Sequence, residues 1–274
     1  MTPSPPSVAS RLLEMFAVPY DHEKAIVLMS DFLPYSLAAS LVYIVVVFSL
    51  QRLMLNRKPF SLKWPLVFWN AGLAVFSVLG SYYSTVDVIE MAMEHSSLSA
   101  TYCLLGTAMT GKNGFWGYLF TLSKLAEFGD TLFIVLRKKP LIFLHYYHHV
   151  VTLNFTVFGY AGNNAFTVWL LWLNYLVHSV MYLYYMLSAM GIQPPRAISK
   201  TITCMQLAQF AISLFFFAHI GYLKYFYGLC DFHTSAYVIG VVMEISYVIL
   251  FAQFFHNAYV KMSAKRVTPA KKMK

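Results

Sequence analysis

Residues 34–51 read PYSLAASLVYIVVVFSLQ and contain no charged side chain. At 1.5 Å per helical residue, a run of this length reaches about 27 Å, close to the thickness of the hydrocarbon core of a bilayer. Arg52, Arg57 and Lys58 follow directly and form a basic linker. The stretch therefore predicts a membrane-spanning helix with a cationic end.

Six further apolar segments follow this run, at residues 64–83, 115–136, 141–159, 165–188, 203–222 and 235–257. Of the 274 residues, 59% are hydrophobic and 11% are charged, which is far from the balance of a soluble domain. We therefore predict an all-α polytopic membrane protein with seven transmembrane helices. The same numbers exclude disordered, collagen-like and disulfide-rich secreted chains.

The net charge of +9 is spread over short clusters between the spans. The linkers after spans 1, 3 and 5 and the C-terminal tail are basic, whereas the other linkers carry acidic residues. This pattern predicts a cytosolic C-terminus and an N-terminus on the far side, and it argues against nucleic-acid binding. We expect a luminal segment at 1–33, a seven-span catalytic unit at 34–257 and a basic tail at 258–274.

Two features of the linkers and the tail concern the cellular compartment. Lys271 and Lys272 stand fourth and third from the C-terminus, a register that resembles an endoplasmic-reticulum retrieval signal. A basic tail attracted to anionic lipid is the alternative. Cys103 and Cys230 both fall in predicted non-cytosolic linkers, where a disulfide between them can form. Two unpaired thiols remain the alternative, because sequence carries no distance.

Polar residues inside a bilayer are costly, so each is a candidate functional residue. In span 3, Lys124, Glu127 and Thr131 share one helical face, and Asp130 is adjacent. A structural ion pair between Lys124 and Glu127 would explain this cluster equally well.

Span 4 carries His145, His148 and His149 at i, i+3 and i+4, so three imidazoles share one face. Imidazole can bind iron, copper or zinc, and one HxxHH motif also occurs in membrane desaturases and hydroxylases. A neutral imidazole can instead attack a thioester while a neighbouring histidine transfers protons. The chain has too few histidines near these three for a di-iron centre, although enough for one metal ion.

Spans 5 and 6 contribute a second set of polar and aromatic residues. The residues concerned are Asn174, His178, Met181, Tyr182 and Tyr185 in span 5 and Thr203, Gln206 and Gln209 in span 6. The predicted topology places these groups and those of spans 3 and 4 at similar depth in the cytosolic half. We therefore expect a polar chamber that continues into an apolar region, which suits an amphipathic substrate.

Four motifs resemble those of the ELO-type fatty-acid elongases. They are KLAEFGDT at 124–131, HYYHH at 145–149, NYLVHSVMYLYY at 174–185 and TCMQLAQF at 203–210, and the resemblance covers roughly residues 30–274. It implies condensation of a long-chain acyl-CoA with malonyl-CoA to 3-oxoacyl-CoA, CO₂ and CoA at the endoplasmic reticulum. It further implies no cofactor, and six spans that form an inverted barrel around an acyl tunnel.

The resemblance also assigns roles to catalytic candidates. His148 corresponds to the nucleophile that takes the acyl group as an acyl-imidazole. His178 and Asn174 correspond to the partners that face it, and His145 and His149 would orient it or transfer protons.

Substrate-binding candidates follow from the same resemblance. Lys124, Glu127, Asp130 and Tyr182 would support the chamber, and Gln206 and Gln209 would bind the thioester region. The candidates for the CoA phosphates are basic residues on the cytosolic side: Arg137, Lys138, Lys139, Arg196, Lys200 and Arg266.

Two positions bear on the acyl chain. Pro140 stands where members acting on polyunsaturated chains tend to have Gln, so a saturated or monounsaturated substrate is expected. Lys224 and His219, near the luminal end of span 6, would form a polar floor that limits chain length.

The expected partners are the two CoA substrates, membrane lipid and the other enzymes of the elongation cycle, and a homodimer is a candidate assembly. Two alternatives stay open: a metal-dependent membrane desaturase or hydroxylase, and a non-enzymatic seven-span lipid-binding protein.

Overall fold

The computed structural model describes residues 7–14, 16, 20–105 and 111–261, with the side chains of 112 and 113 excepted. These ranges contain helices and no strand. The helices are α1 (Val8–Glu14), α2 (His22–Leu53), α3 (Lys63–Glu94), α4 (Ala100–Cys103), α5 (Gly111–Ala126), α6 (Phe128–Leu136), α7 (Phe143–Ala161), α8 (Thr167–Met190), α9 (Arg196–Tyr227) and α10 (Thr234–Phe255). A π-helical segment, His256–Lys261, extends α10.

The all-α prediction is confirmed. Within the described ranges, α2, α3, α9 and α10 with its π-helical extension are long and apolar enough to cross a bilayer. The other predicted spans correspond to the pair α5 and α6, to α7 and to α8. Helices α5, with 16 residues, and α6, with 9, are each too short to cross a bilayer, and polar side chains lower the apolar content of α7 and α8.

The helices extend beyond the apolar segments that predict them. Helix α2 begins well before residue 34, because the side chain of Asp21 caps its N-terminus by accepting a 3.1 Å hydrogen bond from the Lys24 backbone N–H. The same hydrogen bond lowers the pKa of Asp21. Helix α9 likewise begins directly after Pro195. Apolar runs thus predict the central part of a helix and miss its ends.

Helix α3 packs along α8, and α2 packs along α7. The buried face of α3 is a stripe of small residues that includes Ala74, Ser77, Gly80 and Ser84. Small side chains let two membrane helices approach closely. At Gly80 the approach is so close that an added Cβ would overlap the ring of Tyr175 on α8.

The third predicted span is two helices that meet at Glu127. The N–H of Asp130 bonds to the carbonyl of Glu127 at 3.1 Å, a contact three residues apart that tightens the backbone locally. The predicted continuous helix over 115–136 is therefore interrupted within the polar motif, next to the histidines. This interruption brings a turn, with its acidic side chains, to the interior.

The opposite end of the bundle is closed by covalent and polar contacts. Cys103 and Cys230 form a disulfide, and the N–H of Asp231 bonds to the Cys103 carbonyl at 2.7 Å. Cys204 is a free and exposed thiol. The disulfide joins the α4 region to the loop between α9 and α10.

Candidate active site

The three histidines of α7 lie close together. The rings of His145 and His149 are 4.5 Å apart between centroids, and those of His148 and His149 are 5.6 Å apart. Nε2 of His145 lies 2.9 Å from the hydroxyl of Thr131 on α6, which lies 2.6 Å from the hydroxyl of Tyr43 on α2. This chain of contacts orients His145.

A buried group of charged and polar side chains stands near the histidines. Nζ of Lys124 donates to Oε1 of Glu127 at 2.7 Å and to Oδ1 of Asn174 at 2.9 Å. Oε1 of Glu127 is also 3.7 Å from Nδ1 of His178. The ion pair that the sequence suggests therefore exists, and it contacts the α8 residues of the predicted site. A buried ion pair needs such additional partners to offset the cost of removing it from water.

Asp130 is held by two donors on other helices. Trp69 Nε1 donates to Oδ1 at 2.6 Å, and the Tyr182 hydroxyl donates to Oδ2 at 2.8 Å. These contacts join α3, α6 and α8 around one carboxyl group. Asp130 thus fixes the distance between the helices that form the wall of the site.

The central cavity has a volume of about 490 Å³, within the range typical of ligand sites. We call it the main cavity. Its polar lining comprises Asn70, Asp130, Arg137, Lys139, His145, His148, His149, Asn174, His178, Tyr182, Tyr185, Ser188, Gln206 and Gln209. Its apolar lining includes Leu66, Phe133, Val177, Met181 and Phe210. The main cavity therefore combines polar residues from each of the four predicted motifs with apolar walls, whereas the predicted substrate-binding residues Lys124 and Glu127 do not line it.

A smaller cavity of about 40 Å³ shares part of this lining. We call it the deep cavity. His148, Asn174, Gln209 and Phe210 line both cavities. His148 consequently stands at the boundary between a polar chamber and a narrower, mostly apolar one.

The predicted phosphate-binding residues separate into three groups. Arg137 and Lys139 line the main cavity, and we call this end the basic mouth. Lys138 instead donates to the carbonyls of Leu55 and Arg57, at 3.0 and 3.1 Å.

The remaining candidates lie elsewhere. Arg196 donates to the Ala258 carbonyl at 2.7 Å, and Nζ of Lys200 lies 5.8 Å from the Phe255 ring centroid. Arg266, Lys271 and Lys272 lie outside the described residues.

Lys224 and His219 make contacts away from the two cavities. Nζ of Lys224 donates to the Cys230 carbonyl at 2.7 Å, and Nδ1 of His219 lies 2.8 Å from the Tyr102 hydroxyl. Neither residue lines the main or the deep cavity. The polar floor expected of them therefore remains a prediction.

Several residues that line a cavity or bond to a site residue lie outside the sequence motifs. Trp69 and Asn70 come from α3, Tyr43 from α2, and Glu244 and Tyr247 from α10. Tyr247 donates to the His148 carbonyl at 3.3 Å and lies 2.7 Å from the Thr152 hydroxyl. The polar residue Glu244 within an apolar span is the one sequence signal that could have drawn attention to α10.

The described residues contain no group of three or more His, Cys, Asp or Glu side chains arranged to hold a metal ion. The arrangement can hold an amphipathic molecule, with anionic groups at the basic mouth and an apolar part beyond His148. It also offers imidazoles for nucleophilic attack and proton transfer.

The fold and site define a helical membrane protein with a histidine-lined interior cavity. The profile of the ELO: GNS1/SUR4 family matches residues 27–267, and the chain belongs to that family. The resemblance drawn from the four motifs is thereby confirmed.

Individual relatives agree with this assignment. Long chain fatty acid elongase 2 of Caenorhabditis elegans is 38% identical over 258 residues, which cover 93% of this chain and 94% of that protein. Very long chain fatty acid elongase 6 of Drosophila melanogaster is 43% identical over 224 residues, or 80% of this chain and 70% of that protein. Very long chain fatty acid elongase 3 of Mus musculus is 36% identical over 257 residues, with coverages of 90% and 92%.

Proposed function

We propose that this protein is a fatty-acid elongase that condenses a long-chain acyl-CoA with malonyl-CoA, giving 3-oxoacyl-CoA, CO₂ and CoA. One observation carries the proposal: His148 lines both the main and the deep cavity. A thioester at this boundary would keep its CoA part in the polar chamber and its alkyl part in the apolar one. The names of the relatives support fatty-acid elongation in general.

In the first half-reaction, a neutral ring nitrogen of His148 attacks the carbonyl carbon of the acyl thioester. The new C–N bond forms, the C–S bond breaks, and CoA leaves as a thiol after receiving the imidazole proton. His149 is the candidate to transfer that proton, since its ring lies next to that of His148, and His145 lies on the other side of His149. The product is an acyl-imidazole on the enzyme.

In the second half-reaction, malonyl-CoA loses CO₂ and becomes an enolate. The enolate carbon attacks the acyl carbon, a C–C bond forms, the C–N bond to His148 breaks, and the released imidazole takes up a proton from water, which restores neutral His148. Asn174 and His178 face this site and are held by Lys124 and Glu127, so they are suited to stabilise the negative charge on the enolate oxygen. Gln206 and Gln209 would bind the thioester or pantetheine region.

The basic mouth is suited to the phosphates of CoA, because Arg137 and Lys139 present cations at the cavity entrance. Pro140 favours a saturated or monounsaturated chain, by resemblance to other family members. Lys224 and His219 stay candidates for limiting chain length from the far end.

We further propose the arrangement in the membrane. Seven helical segments cross it, six of them as an inverted barrel, in the membrane of the endoplasmic reticulum with the C-terminus in the cytosol. The charge distribution of the linkers supports this orientation. Lys271 and Lys272 would act as the retrieval signal, and other enzymes of the elongation cycle or a second copy of the chain would be its neighbours.

The test is incubation of detergent-purified protein with a panel of acyl-CoAs and labelled malonyl-CoA in the presence of chelator. Labelled 3-oxoacyl-CoA is the expected product. His148→Ala should abolish it and should remove the acyl adduct found by mass spectrometry with acyl-CoA alone. His95→Ala changes an exposed histidine and serves as the matched control.

Other outcomes contradict the proposal in distinct ways. Acyl-CoA that binds and is released unaltered would indicate a lipid-binding protein. Absence of product together with bound iron or zinc in the same sample would favour a metal-dependent oxygenase. An active His148→Ala variant would refute the assigned nucleophile.

A further inference from the structure

The α7 residues that line the deep cavity run from His148 to Gly159, two positions about 16 Å apart along the helix axis at 1.5 Å per residue. Phe155, Leu170, Leu171 and Met243 supply much of its wall. The lining is thus suited to a hydrocarbon chain. Its small volume means that a long chain can enter only where side chains or bound water give way.

Glu244 interrupts this apolar lining. It lies on α10, its exposed fraction is 3%, and its Oε2 has no hydrogen-bond partner among the described residues. Thr167 also lines the deep cavity, and its buried hydroxyl oxygen likewise has no hydrogen-bond partner among the described residues. A buried polar group without a partner is unfavourable, and such groups in native proteins point to a bound ligand or water.

Two threonine hydroxyls that line the deep cavity already have hydrogen-bond partners. Thr152 is bonded to the Tyr247 hydroxyl, and Thr156 donates to the Leu153 carbonyl at 2.9 Å. The cavity of about 40 Å³ has room for a water molecule. Among the described residues that line the deep cavity, Glu244 and Thr167 are the two with a buried side-chain oxygen that has no hydrogen-bond partner.

We propose that Glu244 is a specificity-determining residue of the acyl tunnel. It holds a water molecule in the deep cavity, and a bare hydrocarbon chain long enough to displace that water is disfavoured. The physical reason is that a methylene group can neither donate nor accept a hydrogen bond, so the carboxyl group would be left buried without a partner. This inference rests on the proposed function, because it takes the deep cavity as the acyl tunnel.

The position of Glu244 distinguishes it from Lys224 and His219. Both of those side chains are bonded to other residues and lie away from the cavities. Glu244, in contrast, lines the cavity that begins at His148. Glu244 would accordingly select acyl chains by length within the tunnel, whereas Lys224 and His219 would do so at its far end.

The experiment compares kcat/KM across saturated acyl-CoAs of increasing chain length for wild type, Glu244→Met and Glu244→Gln. Methionine has a similar length without hydrogen-bonding groups, so the ratio of long-chain to short-chain kcat/KM should rise about tenfold, the effect of one hydrogen bond. Glutamine still bonds water and should keep the wild-type profile. Val242→Met alters an exposed residue of the same helix and is the matched control.

A Glu244→Met variant with normal short-chain activity and an unchanged length profile would overturn the inference while leaving the proposed function intact. If Glu244→Met does not fold, Thr167→Val provides the second test, with a rise of the same ratio expected and an unchanged ratio counting against the inference. A wild-type protein that condenses no acyl-CoA would refute both the proposed function and this inference.

Discussion

The hydroxyl of Thr131 lies 2.9 Å from Nε2 of His145, and this contact joins the polar motif of α6 to the histidine motif of α7. Thr131 in turn lies 2.6 Å from the hydroxyl of Tyr43 on α2. The first long helix therefore contributes to the orientation of the histidines, although it carries none of the four motifs. His145 is held by a relay of hydroxyl groups.

Thr131→Val should lower kcat about tenfold and leave KM for acyl-CoA nearly unchanged. Valine has the same shape but cannot bond to His145, and one hydrogen bond of about 1.4 kcal/mol corresponds to a factor of ten. Steady-state kinetics on several acyl-CoAs checks this. Thr131→Ser should recover most of the rate. A valine variant with wild-type kcat would show that the relay has no positioning role.

Lys124→Met should destabilise the protein by about 3–5 kcal/mol, because it leaves the carboxylate of Glu127 buried without its cation. The double variant Lys124→Met with Glu127→Gln should lose less than the sum of the two single changes. Unfolding in detergent followed by circular dichroism measures both effects.

Arg11 and Asp31 provide the control for this ion pair. Their distance is also 2.7 Å, but both side chains are partly exposed. Asp31→Asn should therefore change stability by less than about 1 kcal/mol. Equal effects at the exposed and the buried pair would contradict the interpretation.

Arg137→Gln and Lys139→Gln should each raise KM for malonyl-CoA by about two- to fivefold, as expected for one charge at a partly exposed site. The effect should shrink at high salt, which screens charges. Lys138→Gln should leave KM unchanged, because Lys138 bonds to the backbone of the loop after α2. Three equal increases in KM would indicate general attraction instead of a defined basic mouth.

Gly80→Ala should destabilise the protein by about 1–3 kcal/mol, since its Cβ would overlap the ring of Tyr175. Gly72→Ala, on the same helix, places its Cβ where no atom lies within 4 Å. It should be neutral or stabilising, because alanine favours a helix over glycine. Thermal unfolding of the two variants provides the comparison, and a Gly80→Ala protein as stable as wild type would contradict the close packing.

Apolar runs and the spacing of polar residues predict much of this fold. The run at 34–51 lies within α2, and the motif HYYHH lies in α7, with its three imidazoles on one face as the helical period requires. The ends of helices are harder to predict from sequence, because capping residues such as Asp21 lie outside the apolar run. The interruption at Glu127 also escaped prediction, since it depends on a local backbone contact.

The residues of the candidate site also divide into those that the sequence predicts and those that it does not. His148, His178 and Asn174 could be found from sequence, because polar side chains at helical spacing in an apolar segment are unusual. Trp69 could not, because nothing in its own helix shows that its N–H meets Asp130. Among the predicted cationic residues, Arg137 and Lys138 are adjacent in sequence, yet only the first lines the cavity.

The sequence by itself determined the helical class, the approximate segments and the four motifs, because hydrophobicity and helical period are properties of neighbouring residues. Only the tertiary structure decided which side chains meet across helices: Trp69 with Asp130, Tyr43 with Thr131, and Glu244 with the deep cavity. Such contacts depend on how helices distant in the chain pack, and small residues such as Gly80 on α3 set those distances. The periodicity of residues within one helix does not show which other helix packs against it.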